Sequence, residues 1–421
     1  MGRRSLEWCQ ARPYRGVVPP QGVSTAERRK LSAVILALVL IPSAVYVAYT
    51  VAQSHDEVLT HSSSVTHVRV EGNDDFNSTN GVVSGTGAMS DPYVISFPEA
   101  DHYNQVTIEI SNTSVPFVLR DTEFSLNFMS GGMAWTDVGV RISNATDFSV
   151  DNNSLSCYLR VDRCSDFTLS GNRLLYDLFD RSLIVNCSDY MLNNNTRGKV
   201  SMVDCADFSL SGNVNSTLLM YGCRDSVVTG NRLVRGVIAL SGCHGCLIQS
   251  NRCQSITIDA GSANCSVVMN SMRNGSMQGV FLDHVENVTV DGNVIENCSH
   301  HGIELWESVR DCTITRNNIS GCYGAIVLRD AQGCEVYHNN VFSARSLDPI
   351  LDEQGWLNSW DAGYPGGGNY YFDYAGPDVY SGPDQDEPGP DGIGDTEVVV
   401  YTYLPGDPGV DHYPLFAPYS G

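Results

Sequence analysis

The densest group of titratable and aromatic side chains in this chain lies between residues 284 and 329. A carboxylate and an imidazole can exchange protons with a sugar during bond cleavage, so His301 and Glu304 are the candidate catalytic pair. An indole ring offers a sugar a flat stacking surface, and neighbouring polar side chains could hydrogen-bond it. The candidate binding residues are therefore His284, Trp306, Glu307, Tyr323 and Arg329.

The same group also has a structural interpretation. When the chain is aligned on Gly279, Gly302 and Gly324, Glu307 falls beside Arg329, and the two would form an ion pair between adjacent strands. We favour this interpretation, because the surroundings that perturb the pKa of a catalytic group cannot be read from a sequence. The alignment predicts inward columns of Val280, Ile303 and Ala325 and of Leu282, Leu305 and Val327, and outward columns that pair Asp283 with Trp306 and His284 with Glu307 and Arg329.

An asparagine that returns about every 21 residues indicates what must position these side chains. Apolar residues alternate within each unit, as in Val288–Val290, which is typical of strands, and no unit carries an apolar pattern at helical spacing. The sequence therefore predicts an all-β solenoid of stacked parallel strands with about ten coils. The recurring asparagines are Asn153, Asn172, Asn193, Asn213, Asn231, Asn251, Asn270, Asn293, Asn317 and Asn339.

Each recurring asparagine is predicted to occupy a turn between strands. An asparagine tolerates left-handed backbone angles there, and its amide can bond the nearby backbone. Because parallel strands stack about 4.8 Å apart, amides of successive coils can also bond one another as a ladder. The cysteines follow the same period, which predicts inward columns of thiols that pack as small apolar groups.

These units resemble the right-handed parallel β-helix repeats of the pectin-lyase-like fold, and more narrowly the NosD-type β-helix domain of archaeal surface proteins. Residues 85–95 resemble the N-terminal segment of that family, and residues 368–374, 391–396 and 411–415 resemble its C-terminal end. The resemblance implies a right-handed, single-stranded parallel β-helix. It implies no particular activity, since lyases, hydrolases, epimerases and inert adhesins share the fold.

The copper association of the NosD name implies a copper site. Such a site needs His, Met or Cys side chains that converge from a few coils. The nearest set is Met277, Cys298, His300 and His301, which is a poor match, so we do not expect copper to be bound.

Residues 31–52 carry no charged side chain and could cross a bilayer as a helix of about 33 Å. Seven Arg and Lys residues precede this stretch against two Glu, so the N-terminus is predicted to stay in the cytoplasm while the rest of the chain is exported. A cleaved signal peptide that ends at Thr50, Val51 and Ala52 is the alternative. We favour an uncleaved, single-pass anchor in the cell membrane.

The predicted exported part contains twelve N-x-S/T sequons, so we expect a glycoprotein. The net charge of −23 excludes nucleic acid as a partner and leaves the membrane and the polysaccharides or glycans of the envelope. The sequon asparagines are Asn77, Asn112, Asn144, Asn152, Asn186, Asn194, Asn215, Asn264, Asn274, Asn287, Asn297 and Asn318.

The repeat gives way to a segment rich in Gly, Pro, Asp and Tyr over residues 346–421. A solenoid needs its last coil covered, so we interpret this segment as a C-terminal cap. Its acidic loop presents carboxylates at alternate positions on a backbone bent by glycine, which predicts a structural calcium site, with a solvated loop as the alternative. The candidate calcium ligands are Asp384, Asp386, Asp391 and Asp395.

Five segments are thus predicted: a basic cytoplasmic tail (1–30), a membrane anchor (31–52), a linker (53–79), the β-helix (80–345) and the cap (346–421). The favoured function is a membrane-anchored extracellular module of the cell envelope, either structural or carbohydrate-binding. The alternative is a polysaccharide-active enzyme (lyase, hydrolase or epimerase), and a weaker alternative is a copper-handling protein. The balance is against catalysis.

Overall fold

A computed structural model describes residues 65–97, 105–124, 139–155, 158–174, 182–215, 217–233, 235–346, 348–402 and 409–420. Strands dominate these segments, and the helices found in them are two 3-10 turns, Asn73–Asp75 and Ser78–Asn80. The strands wind into successive coils, and a full coil crosses three parallel sheets in turn, of which the first two are joined through Gly139–Asp151. The all-β parallel β-helix predicted from the repeat is confirmed.

The first sheet carries the candidate side chains. Its strands pair in parallel with their neighbours from one coil to the next. Its strands are Val65–Glu71, Gln105–Thr113, Gly139–Asp151, Tyr158–Asp162, Ser182–Val185, Lys199–Val203, Thr217–Tyr221, Val237–Ser241, Ser255–Asp259, Val280–Asp283, Ile303–Arg310, Ile326–Gln332 and Ile350–Glu353.

The second and third sheets complete each coil, and Gly139–Asp151 pairs in both the first and the second sheet. The second sheet also contains Tyr93–Ile95, Phe117–Arg120, Ser165–Ser170, Ser188–Asn193, Ala206–Ser211, Val227–Thr229, Leu247–Gln249, Ser266–Val268, Thr289–Asp291, Thr313–Thr315 and Glu335–Tyr337. The third contains Glu123–Phe124, Ser154–Leu155, Arg173–Leu174, Arg252–Cys253, Ser271–Arg273, Val294–Glu296, Asn318–Ser320, Asn340–Val341 and Tyr370–Tyr371. Antiparallel pairs join Val82–Ser84 to Tyr93–Ile95, Tyr380–Ser381 to Glu387–Pro388, and Val398–Val399 to Val410–Asp411.

Side chains of one kind stack along the interior of the coils. Aromatic rings of the second sheet lie parallel with centroids 4.7–5.0 Å apart. The cysteines in the described part of the chain are all buried free thiols, so their predicted inward placement is confirmed. Burial is therefore continuous from coil to coil, as in other solenoids. The stacked rings are Phe117, Phe148, Phe167, Tyr190 and Phe208.

A buried ladder of asparagine side chains follows the corner between the second and third sheets. At Asn251, Oδ1 accepts hydrogen bonds from the backbone N–H and Nδ2 of Asn231, at 2.9 and 3.0 Å. Its Nδ2 donates to the carbonyl of Val228 at 2.8 Å and to Oδ1 of Asn270 at 3.1 Å. The predicted ladder is confirmed, with the rungs Asn153, Asn172, Asn195, Asn213, Asn231, Asn251, Asn270, Asn293, Asn317, Asn339 and Asn369.

The ladder differs from its prediction in three respects. Asn195, not Asn193, is the rung of its coil, because Asn193 still lies in the second-sheet strand. Asn369 adds a rung beyond the predicted series. The left-handed conformation belongs to the residue before a rung, as at Asn152 and Gly171 with φ of 57° and 64°, and not to the rung itself.

An aspartate ends the ladder. Oδ2 of the fully buried Asp411 accepts hydrogen bonds from the N–H and Nδ2 of Asn369, at 2.8 and 3.3 Å, and from the hydroxyl of Tyr371 at 3.0 Å. Its Oδ1 accepts from the N–H of Tyr413 at 3.2 Å. A carboxylate has no N–H to donate, so the ladder stops without a buried unpaired amide. At the opposite end, the first rung accepts a hydrogen bond from the N–H of Thr122.

The coils extend beyond both predicted limits. Val65–Glu71 lies in the segment predicted as a linker, yet it pairs with Gln105–Thr113. Ile350–Glu353 and Tyr370–Tyr371 lie in the segment predicted as a cap, yet both continue the sheets. The predicted membrane anchor at 31–52 falls outside the described residues, and no helix within those residues is long and apolar enough to span a membrane.

Candidate functional site

The candidate side chains lie on the outward face of consecutive first-sheet strands. Ile303 pairs with Val280 on one side and with Ile326 on the other, so the alignment through Gly324 is wrong by one residue in the last of the three coils. The inward columns are Val280–Ile303–Ile326 and Leu282–Leu305–Leu328, and the outward columns are Phe281–Glu304–Val327 and Asp283–Trp306–Arg329.

Gly324 explains the misalignment. A Cβ at this position would lie 2.5 Å from Nδ1 of His301, so the glycine makes room for the imidazole of the preceding coil. At Gly279 and Gly302, by contrast, a Cβ would strike an isoleucine of the third sheet. The glycines therefore serve two different packing needs, and their spacing does not report the register of the strands.

Glu304 is the most enclosed of the candidate residues, with 3% of its surface exposed. Its Oε2 accepts a hydrogen bond of 2.6 Å from Nε2 of Gln278. Its Oε1 lies 3.8 Å from Nε2 of His301 and 3.8 Å from Nε of Arg329. A buried carboxylate needs such partners, because an unpaired charge is costly to bury. The arrangement stabilises Glu304 as a packed group with little access for a substrate.

His301 lies between Glu304 and Tyr323. The centroids of the His301 and Tyr323 rings are 6.0 Å apart in an edge-on arrangement, which confirms that the two are neighbours. Burial lowers the pKa of His301, although the nearby Glu304 carboxylate acts in the opposite direction. At 3.8 Å the two side chains are too far apart for a direct hydrogen bond. The candidate catalytic pair is thus adjacent and largely enclosed, and its catalytic role stays a prediction.

Arg329 lies beside Trp306 and not beside Glu307. Its Cζ is 4.9 Å from the centroid of the indole ring, within the range of a cation–π interaction. Its Nε is 3.5 Å from Oε2 of Glu353, so the predicted ion pair with Glu307 is wrong. The N–H of His284 donates to the carbonyl of Glu307 at 2.9 Å, which confirms that these two residues are neighbours.

Two further carboxylates belong to the column that contains Trp306. Asp259 and Asp283 end neighbouring strands in the same register, and they are 6% and 3% exposed. Burial raises the pKa of both carboxyl groups. The hydrogen bonds from Ser241 to Asp259 and from His284 to Asp283 act in the opposite direction and lower it by less. The distance from Nδ1 of His284 to Oδ1 of Asp283 is 2.7 Å. Neither carboxylate is among the predicted site residues, although an Asp at the end of two successive strands is a usable signal.

Two of the four predicted calcium ligands accept hydrogen bonds from backbone N–H groups of the cap. The two oxygens of Asp395 accept backbone N–H groups of Val379 and Tyr380, and Oδ1 of Asp391 accepts that of Ile393, all at 3.0–3.1 Å. In the described part of the chain, no three His, Cys, Asp or Glu side chains are grouped so as to hold a metal ion. Calcium binding therefore stays a prediction. The other two predicted ligands, both exposed, are Asp384 and Asp386.

The side chains nearest to a copper site face different sides of the coil wall. Cys298 is fully buried inside the coils, whereas Met277 and His300 are exposed. A thiol that faces inward cannot share a metal ion with side chains on the outer surface without rearrangement of the strand.

The comparison with protein families agrees with this architecture. The family model described as "Periplasmic copper-binding protein (NosD)" matches residues 209–376. The chain resembles NosD over these coils. The NosD-type resemblance predicted from the sequence is thereby confirmed for this segment. Among curated proteins, none matches the chain.

Solved structures that are similar to this chain include two enzymes and an adhesin. Their identities to this chain are 11–16% and their TM-scores are 0.34–0.39, so they assign no activity to it. The chain spans 65% of the length of the alginate epimerase. The periplasmic alginate epimerase AlgG is 15% identical, with 63% of this chain and 65% of that chain covered and a TM-score of 0.39. The catalytic domain of a GH87 alpha-1,3-glucanase is 16% identical, with 55% of this chain and 56% of that chain covered and a TM-score of 0.34. The Streptococcus pneumoniae surface protein and adhesin PfbA is 11% identical, with 60% of this chain and 88% of that chain covered and a TM-score of 0.38.

Proposed function

We propose that the protein is a membrane-anchored, exported module of the cell envelope that binds a neutral polysaccharide on the outward face of its first sheet. The observation that carries this proposal is the column Asp283, Trp306 and Arg329 on three consecutive coils. A carboxylate and a guanidinium can hydrogen-bond sugar hydroxyls, and an indole can cover the apolar face of a sugar ring. Coils repeat every 4.8 Å or so, so an extended chain laid along the axis would meet one of these side chains per coil.

The charge of the protein favours a neutral ligand. The net charge is −23, and the binding face itself carries Asp259, Asp283 and Glu353 against Arg329. Anionic polysaccharides such as uronates would be repelled from such a surface. Hydroxyl groups of a neutral glycan can instead donate hydrogen bonds to the carboxylates.

Catalysis on a polysaccharide is the second candidate function, and the pair Asp259 and Asp283 favours it. Both carboxyls have a pKa raised by burial and lie one coil apart. Two carboxyl groups that differ in protonation can serve as proton donor and ionised partner at a glycosidic bond. His301 and Glu304 are the alternative catalytic pair, and Glu304 is buried to the same extent as Asp283, each being 3% exposed.

Affinity electrophoresis of the exported part (residues 53–421), with neutral and anionic polysaccharides cast in the gel, tests the binding proposal. We expect retardation by a neutral glucan, mannan or galactan and none by pectate or alginate. Trp306→Ala should weaken binding about tenfold, the effect of losing about 1.4 kcal/mol. Trp356→Ala is the matched control, because Trp356 is 66% exposed and does not belong to the column of Asp283, Trp306 and Arg329.

The outcomes separate the two functions. Equal losses in Trp306→Ala and Trp356→Ala would refute the proposed face, and retardation by anionic polymers alone would refute the neutral ligand. New reducing or unsaturated ends after incubation would establish an enzyme. Cleavage that is lost in Asp283→Asn but kept in Glu304→Gln would assign the chemistry to the aspartate pair, and the opposite result would assign it to Glu304.

A further inference from the structure

The structure sorts the twelve sequon asparagines by exposure. Ten have exposed side chains, Asn318 is half-buried, and Asn215 is 3% exposed. Glycosylation needs the Asn side-chain nitrogen at the surface, where a bulky sugar can be attached. A sequon therefore has a usable acceptor only where the corner of the coil presents that nitrogen outward.

Three exposed sequon asparagines are held in one distinctive way. Each has a left-handed backbone, with φ between 55° and 57°, and each rests its amide oxygen against a glycine of the next coil. A Cβ on that glycine would lie 2.4–2.7 Å from the amide oxygen, so only glycine at this position leaves room for the oxygen of the asparagine. The pairs are Asn152 with Gly171, Asn194 with Gly212, and Asn297 with Gly321.

This contact fixes the orientation of the amide. Oδ1 and Nδ2 are opposite arms of one planar group, so an oxygen packed against the next coil turns the nitrogen away from it. The three nitrogens donate no hydrogen bond to any residue that the structure describes. Three of the other exposed sequons differ in this respect: Nδ2 of Asn77 donates to the carbonyl of Asp75, that of Asn144 to Asn112, and that of Asn287 to Asn264. What sets Asn152, Asn194 and Asn297 apart from the remaining exposed sequons is the packing of the amide oxygen against a glycine.

We propose that Asn152, Asn194 and Asn297 are N-glycan acceptors in the exported protein and that Asn215 is not. The donor class is a lipid-linked oligosaccharide activated by a phosphate ester. The C1–O bond of the donor breaks as a bond forms between C1 and the Asn nitrogen. The lipid phosphate leaves with the bonding electrons, and the nitrogen gives up one proton.

The three sites border the third sheet. Asn152 and Asn194 lie at the corner before it, and Asn297 lies at the corner after Val294–Glu296. Glycans there would therefore lie along the two edges of the third sheet. This inference does not depend on the proposed polysaccharide ligand, because it concerns sugars attached to the protein itself.

Peptide mapping of the full chain, exported by a host with N-glycosylation and carrying an appended C-terminal sequon tag, tests the proposal. Release of the glycans by an amidase in heavy-oxygen water converts each occupied Asn into a labelled Asp. We expect label at Asn152, Asn194 and Asn297 and none at Asn215. Thr196→Ala removes the sequon of Asn194 but keeps its corner, so it should abolish that glycan alone without unfolding the coil.

Each result decides the matter. Three unlabelled sites beside a labelled tag would overturn the proposal, because the host has then shown that it can glycosylate the chain. Label at Asn215 would overturn the sorting by exposure. Persistence of label at Asn194 in Thr196→Ala would show that the modification is not sequon-directed.

Discussion

Removal of one rung tests whether the amide ladder stabilises the solenoid as its geometry implies. Asn193 and Asn195 lie two residues apart in the same coil. The sequence pattern predicts Asn193 as the rung of the ladder, whereas the structure places Asn195 there. We compare Asn195→Ala with Asn193→Ala. Oδ1 of Asn195 accepts two bonds from Asn172, and its Nδ2 donates to the carbonyl of Leu169 and to Asn213, all at 2.8–3.0 Å.

Truncation of Asn195 leaves the backbone N–H of Asn172 without its acceptor inside the protein. An unpaired buried donor costs about 1–3 kcal/mol, and each of the three further hydrogen bonds that are lost costs about 1 kcal/mol, so we expect a loss of about 4–6 kcal/mol. The side-chain oxygen of Asn193 has no hydrogen-bond partner in the described structure, so Asn193→Ala should change stability by less than about 1 kcal/mol. Urea unfolding followed by far-UV circular dichroism measures both variants. Equal effects of the two substitutions would refute the assigned register.

Three other predictions rest on separate features of the structure. Burial raises the pKa of Asp411 to about 7. The contribution of this carboxyl to the free energy of unfolding is therefore fully present below about pH 4, and up to about 4 kcal/mol of it is lost as the pH rises to about 7. Asp411→Asn should remove that pH dependence. The assignment would be contradicted if the free energy of unfolding of the wild type rose between pH 4 and 7 while that of the variant stayed constant. Gly324→Ala should destabilise the protein by about 1–3 kcal/mol, because its Cβ would meet the imidazole of His301, and the loss should largely vanish in the His301→Ala background. Additive losses would rule out that contact. Calcium is expected to raise the melting temperature of the full chain if the acidic loop binds it, as the sequence predicts, and identical melting in calcium and in chelator would remove the assignment.

The repeat predicts the fold because its signal is periodic and each coil bonds to the next in the same way. Ten recurring asparagines were sufficient to predict parallel coils and a ladder. One of them, Asn193, was misassigned because three successive asparagines follow Leu192, and composition alone cannot tell which one lies at the corner. Asn369 was missed because the insertion before it breaks the period, although it occupies the same position relative to its neighbours.

The candidate site was harder to predict, because side chains of one column come from distant parts of the sequence. The predicted alignment through Gly324 is shifted by one residue. It therefore places Arg329 beside Glu307, whereas Arg329 pairs with Trp306 in the structure, and the predicted ion pair is wrong for this reason. Burial is also invisible in the pattern. Glu304 stands at an outward position and would be taken for a solvent-exposed carboxylate, yet Gln278 and its other neighbours enclose it.

The direction of the asparagine ladder has a consequence for the growth of such chains. Every interior rung takes two hydrogen bonds from the coil before it and gives two to the coil after it, so any interior coil can be duplicated or deleted while the polar corner stays complete. The two ends cannot be exchanged in this way, because Thr122 only donates into the ladder and Asp411 only accepts. Genes for such proteins can therefore lengthen or shorten in steps of one coil, about 4.8 Å of axis at a time, provided that the aspartate stays last.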